Sequence, residues 1–374
     1  MKLKAIITVF FMSALVYASE EAALVPAKQS TKNCARLYAY IPIHDVQQII
    51  LAYLTWEEAQ RLDSHDAHIL SIQFSPDGKY LASCGRDKTI KIWLENNNQF
   101  ELSQALEEHK HNVTSIAFSP DKKYLASASW DGSVKIWQNN NNKFALLQII
   151  EEDNNMNSVA FSPDSKYLAS AHFDLTRHST IKIWQKNNNN KFDLVQTLIG
   201  HQDVINAVAF SLDQKYLISG SCDKTIKIWH RKNDQFELVQ TLEGHNYTVY
   251  SVAFSPDSTY LASGSSDNTI KIWRPNNNIF ILLQTLEGHT DSVYSVAYSP
   301  DGKFIASCSK DKTVKIWKKN NNQFDLVNTL DGNKNAIFSV EFSPDGKYMA
   351  YCSATTIKIW KNQAIELMSL EPKT

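Results

Sequence analysis

Five sets of His, Ser and Asp recur along this sequence at one fixed spacing. The same three residue types form the catalytic triad of many hydrolases, where the His activates a Ser nucleophile. Each set is followed by a Trp, and the five sets are His65, Ser83, Asp87 and Trp93; His109, Ser127, Asp131 and Trp137; His201, Ser219, Asp223 and Trp229; His245, Ser263, Asp267 and Trp273; and His289, Ser307, Asp311 and Trp317. A catalytic triad occurs once in an enzyme and exposes its nucleophile. Five copies therefore indicate a structural role, and we predict no catalytic residues and no enzymatic activity.

The histidines and cysteines could also belong to a metal site. The closest His pairs are His109 with His111 and His65 with His68, but no further Cys or His lies at ligand spacing from them. The five cysteines of the chain are too few and odd in number for a disulfide framework. Four of them fall in different copies of a repeating unit: Cys84, Cys222, Cys308 and Cys352. Neighbouring sheets pack about 10 Å apart, too far for a bridge. We predict no metal, no cofactor and buried free thiols.

The composition argues against a nucleic-acid-binding protein and against a disordered one. The 374 residues carry 38 Lys and Arg against 39 Asp and Glu, for a formal charge of −1. Nucleic-acid binding needs a basic excess to neutralise phosphates, so we expect no nucleic-acid partner. With 43% hydrophobic and 21% charged residues, the chain can bury a core.

A period of about 44 residues organises most of the chain. The period is marked by Trp residues that each end a short β-branched segment, such as Thr89 to Trp93: Trp93, Trp137, Trp184, Trp229, Trp273, Trp317 and Trp360. Upstream of each Trp lies Phe-Ser-Pro-Asp or a near copy, a tight-turn sequence between apolar alternations. An Asn-rich turn and another strand follow each Trp. Each unit therefore predicts four short strands with no helix between them.

These motifs resemble those of the WD40 (G-beta-like) repeat family. Gly-His, Phe-Ser-Pro-Asp, Leu-Ala-Ser-Gly-Ser-x-Asp and Ile-Lys-Ile-Trp recur here, although no Trp is followed by Asp. The resemblance implies an all-β fold, a seven-bladed β-propeller over residues 63–370. It also implies that His, Ser, Asp and Trp form a hydrogen-bonded tetrad inside each blade. Losing one member leaves buried polar partners unsatisfied.

Two repeats depart from the tetrad pattern. In the third, Glu152 takes the His position, and Leu175 to His178 lengthen the following turn. In the seventh, Asn333 and Tyr351 replace His and Ser, and the Asp is missing. We predict that these two blades are the least stable and open most readily.

The family resemblance also predicts a partner-binding surface on the top face of the propeller. Two positions per repeat face it, and the predicted contact residues are Arg86, Trp130, Phe173, Lys310, Tyr250, Tyr294, Phe338, Asn157 and Asn206. Aromatic and Arg side chains are common interface anchors. The alternative is that Tyr250 and Tyr294 only pack between blades. We expect a monomer whose partner is a protein or peptide with acidic and apolar groups.

The chain begins with a sequence typical of export. Lys2 and Lys4 precede an apolar run from Ala5 to Val16, and Ala18 fits a cleavage site. Residues 1–18 therefore predict a signal peptide, an exported, secreted or periplasmic protein, and no membrane span after cleavage. The alternatives are an uncleaved anchor and a cytoplasmic protein.

Residues 19–62 are predicted to be a flexible linker followed by a short helical segment. Residues 41–62 weakly resemble an F-box, a helical module that docks ubiquitin-ligase adaptors, with Trp56 to Leu62 as a second helix. Trp56 to Leu62 also matches the fourth-strand pattern, as does Ile365 to Met368 near the other end. Only one of these can complete the seventh blade, and we favour the C-terminal one. The sequence thus predicts a non-enzymatic interaction scaffold. The alternative is an F-box-like/WD40 substrate-recognition subunit of a ubiquitin ligase, or a secreted bacterial effector that mimics one.

Overall fold

The described residues form seven small antiparallel sheets. The computed structural model describes residues 56–63, 65–173, 179–277 and 279–362. Within these ranges 28 strands form seven four-stranded sheets, each a propeller blade. The all-β, seven-bladed propeller predicted from the repeats is confirmed. No helix in these ranges is long and apolar enough to cross a membrane.

Blade numbers follow the order of the first strands along the chain. The first strand of the chain, β1 (Trp56–Asp63), belongs to blade 7. Blades 1 to 3 are β2 (Ile69–Phe74), β3 (Tyr80–Gly85), β4 (Ile90–Asn96) and β5 (Gln99–Leu106); β6 (Val113–Phe118), β7 (Tyr124–Ser129), β8 (Ser133–Asn140) and β9 (Lys143–Glu151); and β10 (Asn155–Phe161), β11 (Tyr167–Phe173), β12 (Thr180–Lys186) and β13 (Phe192–Ile199). Blades 4 and 5 are β14 (Ile205–Phe210), β15 (Tyr216–Ser221), β16 (Ile226–Lys232) and β17 (Gln235–Leu242); and β18 (Val249–Phe254), β19 (Leu261–Ser265), β20 (Ile270–Asn276) and β21 (Ile279–Leu286). Blade 6 is β22 (Val293–Tyr298), β23 (Phe304–Ser309), β24 (Val314–Asn320) and β25 (Gln323–Leu330), and blade 7 is β26 (Ile337–Phe342), β27 (Tyr348–Ser353), β28 (Thr356–Asn362) and β1.

The turn between the first two strands is fixed by its own side chains. In blade 1, Ser75 Oγ donates to Asp77 Oδ1 at 2.6 Å and accepts from the Tyr80 N–H at 2.9 Å. Gly78 has φ +70°, a left-handed conformation that glycine adopts without strain. The same Ser–Asp pair occurs in all seven blades. The Phe-Ser-Pro-Asp signal therefore marks a turn that closes on itself.

The core lies between blades rather than inside them. One cluster joins Ala82, Cys84 and Ile92 of blade 1 to Val113 and Ile116 of blade 2, all nearly inaccessible to solvent. Seven such clusters link neighbouring pairs, including blade 7 with blade 1. Each blade thereby buries both faces, which a lone four-stranded sheet could not do.

The N-terminal strand closes the ring. β1 pairs antiparallel with β28, from Trp56 opposite Asn362 to Asp63 opposite Thr356. Trp56 to Leu62 is thus a strand, and the predictions of a second helix there and of a C-terminal closing strand were wrong. The edge of β28 supplies backbone partners that a local capping signal does not reveal. The predicted signal peptide, the linker, the rest of the F-box-like stretch and residues 365–368 lie outside the described residues.

Glutamine side chains tie the fourth strands of adjacent blades together. Gln104 Oε1 accepts from the Phe144 N–H at 2.9 Å, and its Nε2 donates to the Phe144 carbonyl at 2.8 Å. Six such Gln clamps join blade 7 to blade 1 and each later pair up to blades 5 and 6. At the seventh junction the position is Asn328, which makes no hydrogen bond to Trp56 of blade 7. These clamps were not predicted from the sequence.

The Asn-rich runs are turns that also link blades. Asn97 and Asn98 have φ of 51° and 65°, and Asn141 and Asn142 have 51° and 72°, as left-handed two-residue hairpins require. Asn142 of blade 2 accepts a hydrogen bond from the Tyr80 hydroxyl of blade 1 at 2.7 Å. Asn tolerates this backbone and offers an acceptor to the neighbouring blade. The Asn residues in these turns therefore have a structural role.

Candidate functional site

The His, Ser, Asp and Trp of each complete repeat lie in one hydrogen-bonded chain. In blade 1, Trp93 Nε1 donates to Ser83 Oγ at 3.0 Å, and Ser83 Oγ lies 2.8 Å from His65 Nε2. His65 Nδ1 lies 2.7 Å from Asp87 Oδ2. The structure brings the four side chains together in the same way in blades 2, 4, 5 and 6.

The aspartates of these tetrads stay ionised. Burial of Asp223 opposes its charge, but hydrogen bonds from His201, Thr225 and the Gln202 N–H outweigh burial and hold its pKa well below the usual value. The Asp also binds the backbone at the start of the loop before the first strand. Each complete tetrad therefore fixes this loop against the turn between the second and third strands.

Blade 3 assembles a substitute from a different element. Trp184 Nε1 donates to Ser170 Oγ at 2.8 Å, and Ser170 Oγ lies 2.6 Å from Nε2 of His172, two residues along the same strand. His172 Nδ1 is buried and has no hydrogen-bond partner among the described residues. Burial, with the nearby charge of Lys182, lowers the pKa of His172 to about 3. Glu152, at the expected His position, forms an ion pair with Lys182 instead.

Blade 7 keeps only fragments of the tetrad. The Tyr351 hydroxyl donates to Asn333 Oδ1 at 3.2 Å, and its ring stacks on Trp360. Trp360 Nε1 is buried and, within the described ranges, makes no hydrogen bond of normal geometry. An unsatisfied buried donor costs about 1–3 kcal/mol, so blade 7 carries a local defect.

The loops fixed by the tetrads form one surface, which we call the top face. It consists of the loops that precede the first strands and the turns between the second and third strands. The residue before each turn Asp donates its backbone N–H to that loop, as Arg86 does to the His68 carbonyl at 2.9 Å. Trp130, Cys222, Ser266 and Lys310 make the equivalent bond. The backbone below these side chains is therefore held firmly.

Seven residues near the start of the first strands surround the central opening. These first strands lie beside one another around the axis, whereas the fourth strands are farther apart. We call this set the entrance ring: Leu70, Thr114, Asn157, Asn206, Tyr250, Tyr294 and Phe338.

One half of the entrance ring is aromatic. Tyr250 and Tyr294 meet edge to face with centroids 5.1 Å apart, and Tyr294 stacks on Phe338 at 5.2 Å and 14°. Phe338 contacts exposed His68 at 5.8 Å. We call these four residues, from blades 5, 6, 7 and 1, the aromatic arc. Its Tyr and Phe rings pack between blades and are half-buried.

The other half of the entrance ring is polar and occupied by bonds between blades. Thr114 Oγ1 donates to the Met156 carbonyl at 2.8 Å. Asn157 Nδ2 donates to the Ile205 carbonyl at 3.1 Å, and Asn206 Nδ2 to the Val249 carbonyl at 3.0 Å. Trp130 Nε1 donates to Asn157 Oδ1 at 3.0 Å, and 39% of Trp130 remains exposed. Phe173 is half-buried in blade 3.

The two predicted cations differ in their surroundings. Lys310 Nζ forms an ion pair with Asp291 at 3.4 Å. Arg86 is exposed and makes no ion pair with any residue in the described ranges. Burial raises the pKa of Tyr294, and the charge of Arg86 opposes that rise.

The comparison with protein families agrees with this geometry. The model of the WD40 family (WD domain, G-beta repeat) matches residues 56–93, 100–138, 145–185, 192–230, 236–274, 280–318 and 324–361. The chain belongs to the WD40 repeat family.

Among curated proteins, this WD40 chain matches relatives over single-repeat lengths. It is 48% identical over 46 residues to a probable cytosolic iron-sulfur protein assembly protein 1 of Botryotinia fuckeliana, covering 12% of this chain and 11% of the relative. The protein of that name from Sclerotinia sclerotiorum is also 48% identical over 46 residues, covering 12% and 10%. An uncharacterized WD repeat-containing protein of Schizosaccharomyces pombe is 49% identical over 39 residues, covering 10% and 5%. The matched stretches thus span about a tenth or less of these relatives.

These relatives contradict the prediction of an exported protein. Those named for iron-sulfur protein assembly are described as cytosolic, and none of the relatives above is described as secreted. An apolar run with a basic start predicted export from composition alone. The four described cysteines are free, and three are buried. Burial raises the pKa of the Cys84 thiol well above its usual value, which leaves it unreactive.

Proposed function

We propose that this WD40 protein is a non-enzymatic scaffold whose top face binds a peptide or protein partner. The observation that carries the proposal is the entrance of the propeller, where the half-buried aromatic arc and exposed Trp130 stand on a rigid backbone. Rigid aromatic side chains supply contact area at low entropic cost and dominate many protein interfaces.

The tetrads support a scaffold rather than an enzyme. The hydroxyl of Ser83 is wholly buried and already contacts Trp93 and His65. A nucleophile must reach substrate, and five such serines in equivalent blades cannot. Across the described ranges, no three His, Cys, Asp or Glu side chains are grouped as metal ligands would be.

The cytosol is the proposed setting. The cytosolic names of the curated relatives favour it, and so do the free thiols, because disulfides are rare in that reducing compartment.

The test compares partner capture by top-face and outer-surface variants. Immobilised wild-type protein is compared with Arg86→Ala/Trp130→Ala in affinity capture with quantitative mass spectrometry. We expect the double variant to lose most of the specifically captured protein. Leu238→Ala, on an exposed outer strand, is the matched control and should capture normally. Equal capture by the double variant, with an unchanged melting temperature, would rule out a top-face partner site.

A further inference from the structure

The two halves of the entrance ring differ in what they offer a ligand. On the polar half, the donors of Thr114, Asn157 and Asn206 are bound to the backbone of the next blade. On the aromatic arc, Tyr250, Tyr294 and Phe338 contact one another through their rings, and each side chain is half-buried. Within the entrance ring, the aromatic surface available to a ligand therefore lies over blades 5 to 7.

Charge is also uneven around the aromatic arc. Lys310, in the turn of blade 6, is neutralised by Asp291. Arg86 occupies the same position in blade 1, is exposed, and has no acidic partner among the residues described. Its backbone N–H donates to the carbonyl of His68, a member of the aromatic arc whose ring contacts Phe338. Guanidinium binds carboxylate with two parallel hydrogen bonds, which gives both strength and direction.

We propose that the aromatic arc and Arg86 together bind a partner segment in which a carboxylate side chain lies next to a large apolar one. The apolar side chain packs on Tyr294 and Phe338, and the carboxylate pairs with Arg86. This inference rests on the proposed function and deepens it, since it states which half of the top face binds and what chemistry it selects. Charge complementarity at Arg86 is the argument for this occupant.

The test is peptide selection on the purified full-length protein. A phage-displayed library of random 12-residue peptides is selected on the wild type, and the enriched sequences are compared with the unselected library. We expect enrichment of Asp or Glu within one or two positions of an aromatic or large aliphatic residue. Affinities of synthetic copies are then measured by fluorescence polarisation.

Two charge reversals at equivalent positions separate the inference from its alternatives. Arg86→Glu should weaken the selected peptides by about tenfold or more, whereas Lys310→Glu should change affinity by less than about threefold. Tyr294→Ala should also weaken binding. Circular dichroism and thermal melting confirm that each variant is folded.

The outcomes distinguish the inference from the proposed function. Suppose that the selected peptides are not enriched in Asp or Glu, but bind Tyr294→Ala or Trp130→Ala more weakly than wild type. That result would overturn the inference and leave the proposed top-face binding intact. If the selected peptides bind every top-face variant with the same affinity as wild type, both the inference and the proposed function are overturned. Equal losses in Arg86→Glu and Lys310→Glu overturn the assigned role of Arg86.

Discussion

Ser83 receives the Trp93 indole N–H and contacts His65, while the equivalent Ser170 of blade 3 contacts His172 from its own strand. At the scale of single residues, the repeat pattern therefore predicts which Ser hydroxyl is buried, but not which His forms a hydrogen bond with it. His172 was not anticipated because the position holds Ser or Gly in the other blades. Two features of the sequence point to His172: it lies two residues after the tetrad Ser, and the usual upstream His is missing. These features indicate a contact only once the buried Ser hydroxyl is known to need a hydrogen-bond partner.

Glu341 gives a prediction of pH dependence at the residue scale. It lies in β26 where five other blades have Ala, and burial raises its pKa to about 8. Because this pKa is above that of the unfolded chain, the folded state holds the proton more tightly, and stability is lost as pH rises from about 4.5 to 8. We expect Glu341→Gln to remove that loss, so that the free energy of unfolding of the variant, relative to that of the wild type, rises by about 3 kcal/mol between pH 5.5 and 8.5. Urea unfolding at pH 5.5 and 8.5 measures it.

The control for Glu341 is an exposed carboxylate. Glu237→Gln, on the outer strand β17, should leave the pH dependence of stability as it is in wild type. A wild-type pH profile reproduced by Glu341→Gln would show that Glu341 does not titrate in this window.

At the scale of elements, the fourth strands are joined by six Gln clamps and one junction lacking them. Asn328 is one methylene shorter than the Gln of the other blades, and no hydrogen bond links it to Trp56. Asn328→Gln should add the missing pair of bonds and raise the free energy of unfolding by about 1 kcal/mol. Gln240→Asn, which removes an existing clamp on Phe280, should lower it by a similar amount. Chemical denaturation at one pH compares both variants with wild type, and a destabilised Asn328→Gln would contradict the prediction.

The elements also show where prediction from sequence stopped. The Trp period and the Phe-Ser-Pro-Asp turns predicted four strands in each repeat, because these signals are local and recur seven times. Trp56 to Leu62 was assigned to a helix because Thr55 to Glu58 resembles a capping box. The segment is a strand instead because it pairs with β28, which lies about 300 residues away along the chain and so gives no local signal. The arrangement of the aromatic arc, with ring contacts across blades, likewise depends on neighbours that no single repeat contains.

At the scale of the whole molecule, seven similar interfaces join the blades, so we expect the least stable places to lie where a blade departs from the repeat. In blade 3 the tetrad Ser170 contacts His172 of its own strand rather than a His before the first strand, whereas blade 7 has a buried indole N–H without a normal hydrogen bond in the described ranges. Blade 7 also borders the junction without a Gln clamp. Local instability thus has two separate causes: an incomplete tetrad inside a blade and a missing Gln clamp between blades.

Hydrogen exchange followed by mass spectrometry can separate these two causes. Backbone amides in blades 3 and 7 should exchange faster than those in blades 4 and 5, whose tetrads and clamps are complete, because exchange follows local opening. Asn328→Gln should slow exchange in β25 and β1, which flank the junction, and leave blade 3 unchanged. If it slowed blade 3 equally, the ring would open as one cooperative unit rather than at its exceptions. Uniform protection of all seven blades in the wild type would show that the incomplete tetrads cost the propeller nothing locally.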